Sequence, residues 1–340
     1  MTNYPEAKDI RTAINVAKKI VVVQADNPDG DSLASALALE EILGDMEKDV
    51  ILYCGVDIPS HLKYLSGSDR VISELPNNFD LSIIIDTSSE SLLGQLNKSG
   101  AKSWLASRPS IIIDHHATKP TIGFASIIAN HPAVATAEVI YELSQQLDWK
   151  LNTKAKEYLV IAILSDSLGL TSEATTSRSI HIIAELVESG VQLAELENAR
   201  RETMRRDPQL IHYKGQLLQR VEFHDNDRIA TVTIPHDEIV KYSPLYNPPM
   251  LVLDDMRLAN NVCLAIAFKV YTDGKITAKI RSNFGFGVAG KLAESFGGGG
   301  HSYAAGFRLE DGSPIEKIKS ETIKKASQLL DELNENDENI

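Results

Sequence analysis

Cysteine is nearly absent from this chain: two occur in 340 residues, Cys54 and Cys263, far apart and each within an apolar segment. That argues against a disulfide framework and for two buried free thiols in a reducing compartment. Long hydrophobic runs are missing too, none reaching the roughly 18 to 20 residues that cross a bilayer. The opening Met1-Thr2-Asn3-Tyr4-Pro5-Glu6 has neither the basic start nor the apolar stretch of a secretory signal. The chain therefore reads as cytoplasmic, with no membrane partner. Positive charge is also in short supply, with 34 Lys and Arg against 47 Asp and Glu, a net charge of −13. Long duplex nucleic acid, which needs a broad basic surface, is a poor partner for such a chain. A small phosphorylated substrate stays open, because bound metal ions would reverse the charge locally.

What is present is an ordinary globular composition, 43% apolar and 24% charged, in a chain long enough for two cores. Residues 1–195 alternate apolar runs with amphipathic stretches, which predicts an α/β domain with a mostly parallel sheet flanked by helices. An opening helix near Glu6 to Lys19 leads to a strand Ile20–Gln24, and Asp31 starts a second helix rich in small residues. Further strands are expected near Val50–Cys54, Leu81–Asp86 and Ser110–Asp114, with helices at Ala135–Gln146, Thr153–Ser165 and Ser177–Ser189. Residues 196–220 read as a helical connector carrying Arg200, Arg201, Arg205 and Arg206, either a solvated face or an aid to phosphate capture. From residue 221 the period shortens, predicting a smaller α+β domain over 221–340. It would hold strands at Ile229–Ile234, Val262–Val270 and Lys275–Arg281 and helices near Val288–Phe296 and Ile315–Leu333. The acidic end, Asp331 to Ile340, reads as a frayed, solvated tail.

The chemistry concentrates at the ends of apolar segments. Ser110-Ile111-Ile112-Ile113 runs straight into Asp114-His115-His116, three ligand-type side chains where a parallel sheet places its active edge. Asp29 and Asp31 follow Ile20–Val23, Asp86 follows Ile83-Ile84-Ile85, and Asp166 follows Ile161–Leu164. Carboxylates gathered at hydrophobic strand ends are costly unless a cation collects them, and a pair of divalent ions is the natural collector. Oxygen ligands such as Asp29 and Asp31 suit Mn²⁺, with Mg²⁺ the other ion they admit. Each site alone also fits a helix cap, Asp31 included; together they favour metal. The later half adds Gly297-Gly298-Gly299-Gly300-His301, whose glycines allow close backbone approach to an anion, with His301 and Arg281-Ser282-Asn283 placed to hold a phosphate or sugar.

The ordered set Asn27-Pro28-Asp29-Gly30-Asp31, Asp86, Asp114-His115-His116, Asp166 and Gly298-Gly299-Gly300-His301 resembles the DHH phosphoesterases. It is most similar to the branch with a GGGH-type C-terminal domain, which includes the nanoRNases and the cyclic-di-AMP phosphodiesterases. The resemblance implies a catalytic metal-binding domain and a substrate-binding domain, an active site in the cleft between them, a homodimer, and two Mn²⁺ ions that activate a water. Carried over, it makes Asp86 the bridging ligand, Asp29 a ligand of the first metal, and Asp31, His115 and Asp166 ligands of the second. His116 would lie beside the attacked phosphate, while Arg281, Ser282, Gly298, Gly299, Gly300 and His301 would grip the terminal nucleotide. The implied reaction is hydrolysis of short RNA or linear dinucleotides to mononucleotides, with 3′-phosphoadenosine 5′-phosphate as a second substrate.

One departure stands out. The nanoRNase-like pattern begins His-x-Asn-Pro-Asp, and the matching residue here is Ala25, which cannot ligate. Gln24 and Asp26 have oxygens but leave a regular strand on the opposite face. The alternatives are a two-metal site with altered ligation, a one-metal or feeble enzyme, and a nucleotide-binding or regulatory protein that has lost a metal. The other histidines show no ligand spacing; His61, on Pro59-Ser60-His61-Leu62, is the one to place against the site.

Overall fold

The computed structural model describes residues 3–117 and 119–337. The chain forms two compact units, Met1–Arg205 and Arg206–Ile340. The first contains α1 (Ala7–Val16), β1 (Lys19–Gln24), α2 (Gly30–Gly44), β2 (Asp49–Cys54), β3 (Leu81–Ile85), α3 (Gly94–Ser99), α4 (Lys102–Ala106), β4 (Ser110–Asp114), β5 (Ile127–Asn130), α5 (Thr136–Leu147), α6 (Thr153–Asp166), α7 (Ser177–Glu188) and α8 (Leu193–Met204). Its five strands are ordered β2-β1-β3-β4-β5, and every pairing is parallel.

The strands read as unbroken apolar runs because both sheet faces are covered. Val22, Ile83, Ile85, Ile111 and Ile113 point into one core with α2, α5 and α6, while Val21, Val23, Ile84 and Ile112 meet Leu93, Leu96 and Leu105 on the other side. Helix α2 is apolar on all sides, and its Leu33 to Leu39 are wholly buried. From β1 the sheet grows in both directions, to β2 on one side and β3 on the other. That makes the carboxyl ends of β1 and β3 a topological switch point, where open α/β sheets bind ligands.

The second unit contains α9 (Pro208–Gln219), β6 (Glu222–His224), β7 (Ile229–Ile234), α10 (His236–Tyr242), α11 (Leu253–Arg257), β8 (Leu264–Val270), β9 (Ile276–Ser282), α12 (Ala289–Glu294), β10 (Gly299–Gly300), β11 (Ala304–Leu309) and α13 (Ile315–Asp337). Its mixed sheet runs β10-β11-β9-β8-β7-β6, with β7 and β8 parallel and the other pairs antiparallel. Ile266, Phe268, Ile280 and Phe307 pack on one face with Leu292 of α12 and Leu330 of α13. On the other face Val232, Ala265 and Ala267 lie under Leu210, Ile239 and Met256.

One sequence expectation changes. Helix α13 runs to Asp337, so the acidic segment from Asp331 is helical and not frayed; Asp331 also pairs with Arg228 at 2.7 Å. Residues 338–340 of that segment, like Met1 and Thr2, lie outside the described residues. Asp166 closes α6, the helix expected over Thr153–Ser165. The connector arginines are mostly a solvated, internally paired face: Arg200 and Arg201 both reach Glu197, at 2.8 and 2.6 Å, and Arg205 reaches Glu202 at 2.7 Å. Arg206 lies over the Tyr246 ring. Cys54 and Cys263 are buried free thiols. Among the described residues no helix is long and apolar enough to cross a membrane.

Candidate metal centre

Asp31 sits in the first turn of α2 with no solvent exposure. The helix cap expected of it belongs to Asp29, whose Oδ1 accepts from Ser32 N at 2.9 Å in a capping box. Asp29 takes the extended cap conformation, and Asp31, two residues on, is buried. There its Oδ2 accepts from Thr136 N at 2.6 Å, and its Oδ1 accepts from Ser35 Oγ at 2.9 Å and Ala137 N at 3.3 Å. Thr136 and Ala137 open α5, whose own cap residue, Ala135, has no side chain to offer. Asp31 thus caps a helix 105 residues away.

Asp86 follows β3 with φ of 57°, a left-handed backbone that Asp tolerates better than most residues. Its N–H donates to Ile113 O at 3.0 Å, and its Oδ1 accepts from Thr136 Oγ1 at 3.0 Å. Holding a strained residue at the switch point with two bonds is a mark of a functional position. Asp166 lies in the last turn of α6, followed by Leu168, Gly169 and Leu170 with φ of 51°, 71° and 69°. A carboxylate at the negative end of a helix is disfavoured, so its position is a cost that a cation would offset.

His115 joins these groups. Its Nδ1 donates to Ala133 O at 3.0 Å, and the buried Nε2 has no hydrogen-bond partner. Around that atom stand Asp86 Oδ1 at 3.4 Å, Asp166 Oδ2 at 3.4 Å and Asp31 Oδ2 at 3.9 Å. Four acceptors aimed at one point repel one another unless a proton or a metal sits among them. Asp31 is pushed up to about 8 and Asp86 is raised too, both first by burial; the Asp86 charge adds for Asp31, while Asp29 and Asp166 add for Asp86 against His115. Asp166 is raised to about 7 by burial and then by Asp31 and Asp29. Burial alone would lower His115, but Asp86 and Asp31 outweigh it and raise the ring to about 9. Two sets of ligand atoms lie close enough to share an ion, Asp86–His115–His116 and Asp31–His115–Asp166. Carboxylate oxygens with imidazole nitrogens, one buried nitrogen orphaned at their centre, fit divalent metal.

Asp114 proves to be a support. Fully buried, its Oδ1 accepts from His115 N at 2.9 Å and from His116 Nδ1 at 2.8 Å. Burial works against its ionisation, yet the bonds from His116 hold the carboxyl below its ordinary range and raise His116 in return. The dyad leaves His116 half-exposed with Nε2 directed away from Asp114. Sequence reasoning had Asp114 only as a ligand-type residue, and missed Ser35, Thr136 and the Ala133 carbonyl entirely. Their bonds depend on tertiary placement, and no local pattern announces them.

Asp29 joins neither ligand set, although its charge reaches Asp86 and Asp166. Ala25 is buried. Asp26 is spent elsewhere, its Oδ2 accepting from Gln95 N at 2.8 Å at the start of α3. Gln24 is wholly buried with neither amide atom partnered. His61 lies exposed on a single turn and joins neither set.

In the second unit, Arg281 lies next to the end of β9, opposite Ala304 of β11, and its Nη1 donates to Ile280 O at 2.9 Å. Ser282 Oγ accepts from Ala289 N at 3.1 Å, so that hydroxyl anchors α12. His301 is exposed in the turn between β10 and β11. The glycine run, expected as an anion loop, is in part an edge strand. A Cβ on Gly298 would lie 2.3 Å from Gly306 O, and one on Gly300 would lie 2.6 Å from Ala304 O. Those two glycines are explained by packing. At Gly299 a Cβ would meet nothing, so close approach by a ligand is the remaining use for that position. Gly298→Ala should therefore lower the melting temperature. Gly299→Ala should melt like the parent; equal melting of both variants would refute the distinction.

A parallel-sheet unit whose strand ends collect acids and histidines around an orphaned imidazole nitrogen is the build of a metal-dependent phosphoesterase. Residues 19–164, most of the first unit, match the DHH family, N-terminal domain. It is 27% identical over 291 residues to the bifunctional oligoribonuclease and PAP phosphatase NrnA of Thermus thermophilus, covering 84% of this chain and 82% of the relative. The Bacillus subtilis protein of the same name is 28% identical over 315 residues, covering 91% and 95%. An exopolyphosphatase-related protein from Bacteroides fragilis shares the fold, with a TM-score of 0.77 at 22% identity over 96% of this chain and 97% of that one.

Proposed function

We propose that this chain is a metal-dependent phosphodiesterase that hydrolyses short oligoribonucleotides or linear dinucleotides to mononucleotides, and also acts on 3′-phosphoadenosine 5′-phosphate. The observation that carries the reading is the unpartnered, buried His115 Nε2 set among three carboxylates. The names of the two relatives supply the substrate class.

In this reading Asp86, His115, Asp31 and Asp166 hold divalent metal, with Asp29 as a further ligand and Mn²⁺ as the ion. Bound metal supplies Lewis acidity, lowering the pKa of water and neutralising charge on the phosphoryl oxygens. The rest falls to the protein. Asp114 fixes the His116 ring through Nδ1, so Nε2 is free to donate to a phosphoryl oxygen or to pass a proton to the departing ribose oxygen. Ala133 fixes the tautomer of His115. Thr136 orients Asp86. Arg281, Gly299 and His301 hold the nucleotide end, and Ser282 and Gly298 shape the backbone that presents them. The same reading makes the protein a cytoplasmic homodimer, for which light scattering should give twice the chain mass.

The test is hydrolysis of linear pApA with Mn²⁺ by the parent and by Asp166→Ala. Turnover by the parent and none by the variant is expected. No turnover by a metal-loaded parent would overturn the proposal.

A further inference from the structure

His116 is half-exposed, and a ring in that position must be held from beneath if its Nε2 is to meet a phosphoryl oxygen in one orientation. The holding comes through Asp114. The Oδ1 of that carboxylate takes three donors: His115 N at 2.9 Å, His116 N at 3.3 Å and His116 Nδ1 at 2.8 Å. Its Oδ2 takes none among the described residues, although Asp114 is wholly buried. A buried carboxylate oxygen without a donor is costly, and a carboxylate bonded through one oxygen is held on one side only.

Ser88 is the donor at hand. Register sets Ile85 of β3 beside Ile113 of β4, so the stretch that leaves β3 with Asp86, Thr87 and Ser88 starts next to Asp114. Ser88 is buried, and its Oγ also has no hydrogen-bond partner. Burial opposes ionisation of Asp114, and the Ser88 hydroxyl stands with His116 among the groups that hold the carboxyl below its ordinary range. One orphan can donate and the other can only accept, and a serine hydroxyl turns about a single bond to align. The main chain of Ser88 grips the same segment at its other end. After Asp114 the chain passes His115 and His116 and returns at Thr121 and Ile122, whose N–H groups donate to Ser88 O at 2.8 and 3.3 Å. Thr121 Oγ1 accepts from Glu90 N at 2.9 Å, which ties the two stretches together again. A single buried residue thus faces the His116 segment where it begins and bonds to it where it ends.

We propose that Ser88 is a positioning residue for His116: its hydroxyl donates to Asp114 Oδ2 and fixes the carboxylate, and through it the imidazole, in the orientation that the reaction uses. The inference rests on the hydrolytic reading above and on the role given there to His116. It gives Ser88 no contact with metal or substrate. A neutral donor suits this place, because it fixes the carboxylate without cancelling the charge that His116 Nδ1–H is bonded to. Lysine or arginine would compete with His116 for that charge.

The test is a double-mutant cycle on Mn²⁺-dependent turnover of pApA, with the parent, Ser88→Ala, His116→Ala and the double variant. Ser88→Ala should lower kcat on the order of tenfold, keep KM within about twofold of the parent, and bind as many Mn²⁺ ions per chain. On the His116→Ala background the same substitution should change kcat by less than about twofold, since no ring is left to orient. A merely structural loss would reappear undiminished on that background and would refute the role. So would a KM that rises as kcat falls, or a lost ion, because either would put Ser88 at the substrate or the metal. Heteronuclear NMR of the imidazoles in the metal-free protein reads the contact without turnover. The His116 Nδ1–H proton should exchange with solvent faster in Ser88→Ala than in the parent, and equal rates would sink the proposal. A parent that shows this difference but never turns over pApA refutes the catalytic reading and leaves the tether standing.

Discussion

Replacing Asp166 with asparagine should make the metal-free protein more stable while abolishing hydrolysis. The carboxyl is raised to about 7 by burial and by the charges of Asp31 and Asp29. Its folded pKa thus exceeds the unfolded one, and the native state holds the extra proton between about pH 4 and 7. Stability from this group is intact below that window, falls as the pH climbs through it, and is at its lowest above pH 7. His115, raised to about 9, acts in the same direction over a higher range: its favourable contacts persist below about 6.5 and are lost as the pH rises to 9. At pH 8 the native state therefore carries the Asp166 penalty, which after discounting for its partial exposure is on the order of 1–2 kcal/mol. Asparagine removes the charge at nearly constant volume. With EDTA at pH 8 the variant should melt about 2–4 °C above the parent, and the gap should close near pH 5. Added Mn²⁺ should raise the parent strongly and the variant little, because metal replaces protons among the same ligands. A variant that melts below the parent in EDTA would show Asp166 to be a structural residue and remove it from the proposed ligand set.

The contrast between ligand and scaffold explains which parts of this protein could be read from its sequence. Strands β1, β3 and β4 are legible because each is buried on both faces, so each appears as an apolar run ended by acid. β5 and β11 are not, since one is a short edge strand and the other, Ala304-Ala305-Gly306-Phe307-Arg308-Leu309, is rich in small residues. The parallel pairing of β7 with β8 was equally hidden, because it depends on a crossover through α10 and α11. At the site, Asp31, Asp86, His115, His116 and Asp166 do come together. What the sequence could not assign was division of labour. Asp29 and Asp31 are two residues apart, and either suits a helix cap. Only the inward turn of α2 shows that Asp29 caps its own helix and Asp31 caps another. The glycine run is a similar case, its pattern mixing residues required by strand packing with one that is not.

That double duty of Asp31 gives the second large expectation. Asp31→Ala and Asp31→Asn should both lose metal-dependent stabilisation and pApA turnover, yet only the alanine variant should unfold more readily. Alanine strands the buried Thr136 and Ala137 N–H groups and the Ser35 hydroxyl, all of which now donate to the carboxylate. A buried donor left without a partner costs about 1–3 kcal/mol, and Ala135 cannot replace the lost cap. Against this, alanine also removes a carboxyl that burial and Asp86 make costly, so the net loss should be on the order of 2 kcal/mol. Asparagine keeps one acceptor oxygen for Thr136 N and carries no charge, and its NH2 can donate to the Ser35 hydroxyl, so it loses only the long bond from Ala137 N and escapes the repulsion. In EDTA at pH 7.5 the asparagine variant should melt at or slightly above the parent and the alanine variant about 2–4 °C below it. Should the two variants melt together, the bond from Thr136 would carry no weight in the fold, and Asp31 would be a ligand alone. Should the asparagine variant still gain stability from Mn²⁺ as the parent does, the inward-facing carboxylate of α2 would not be a ligand at all.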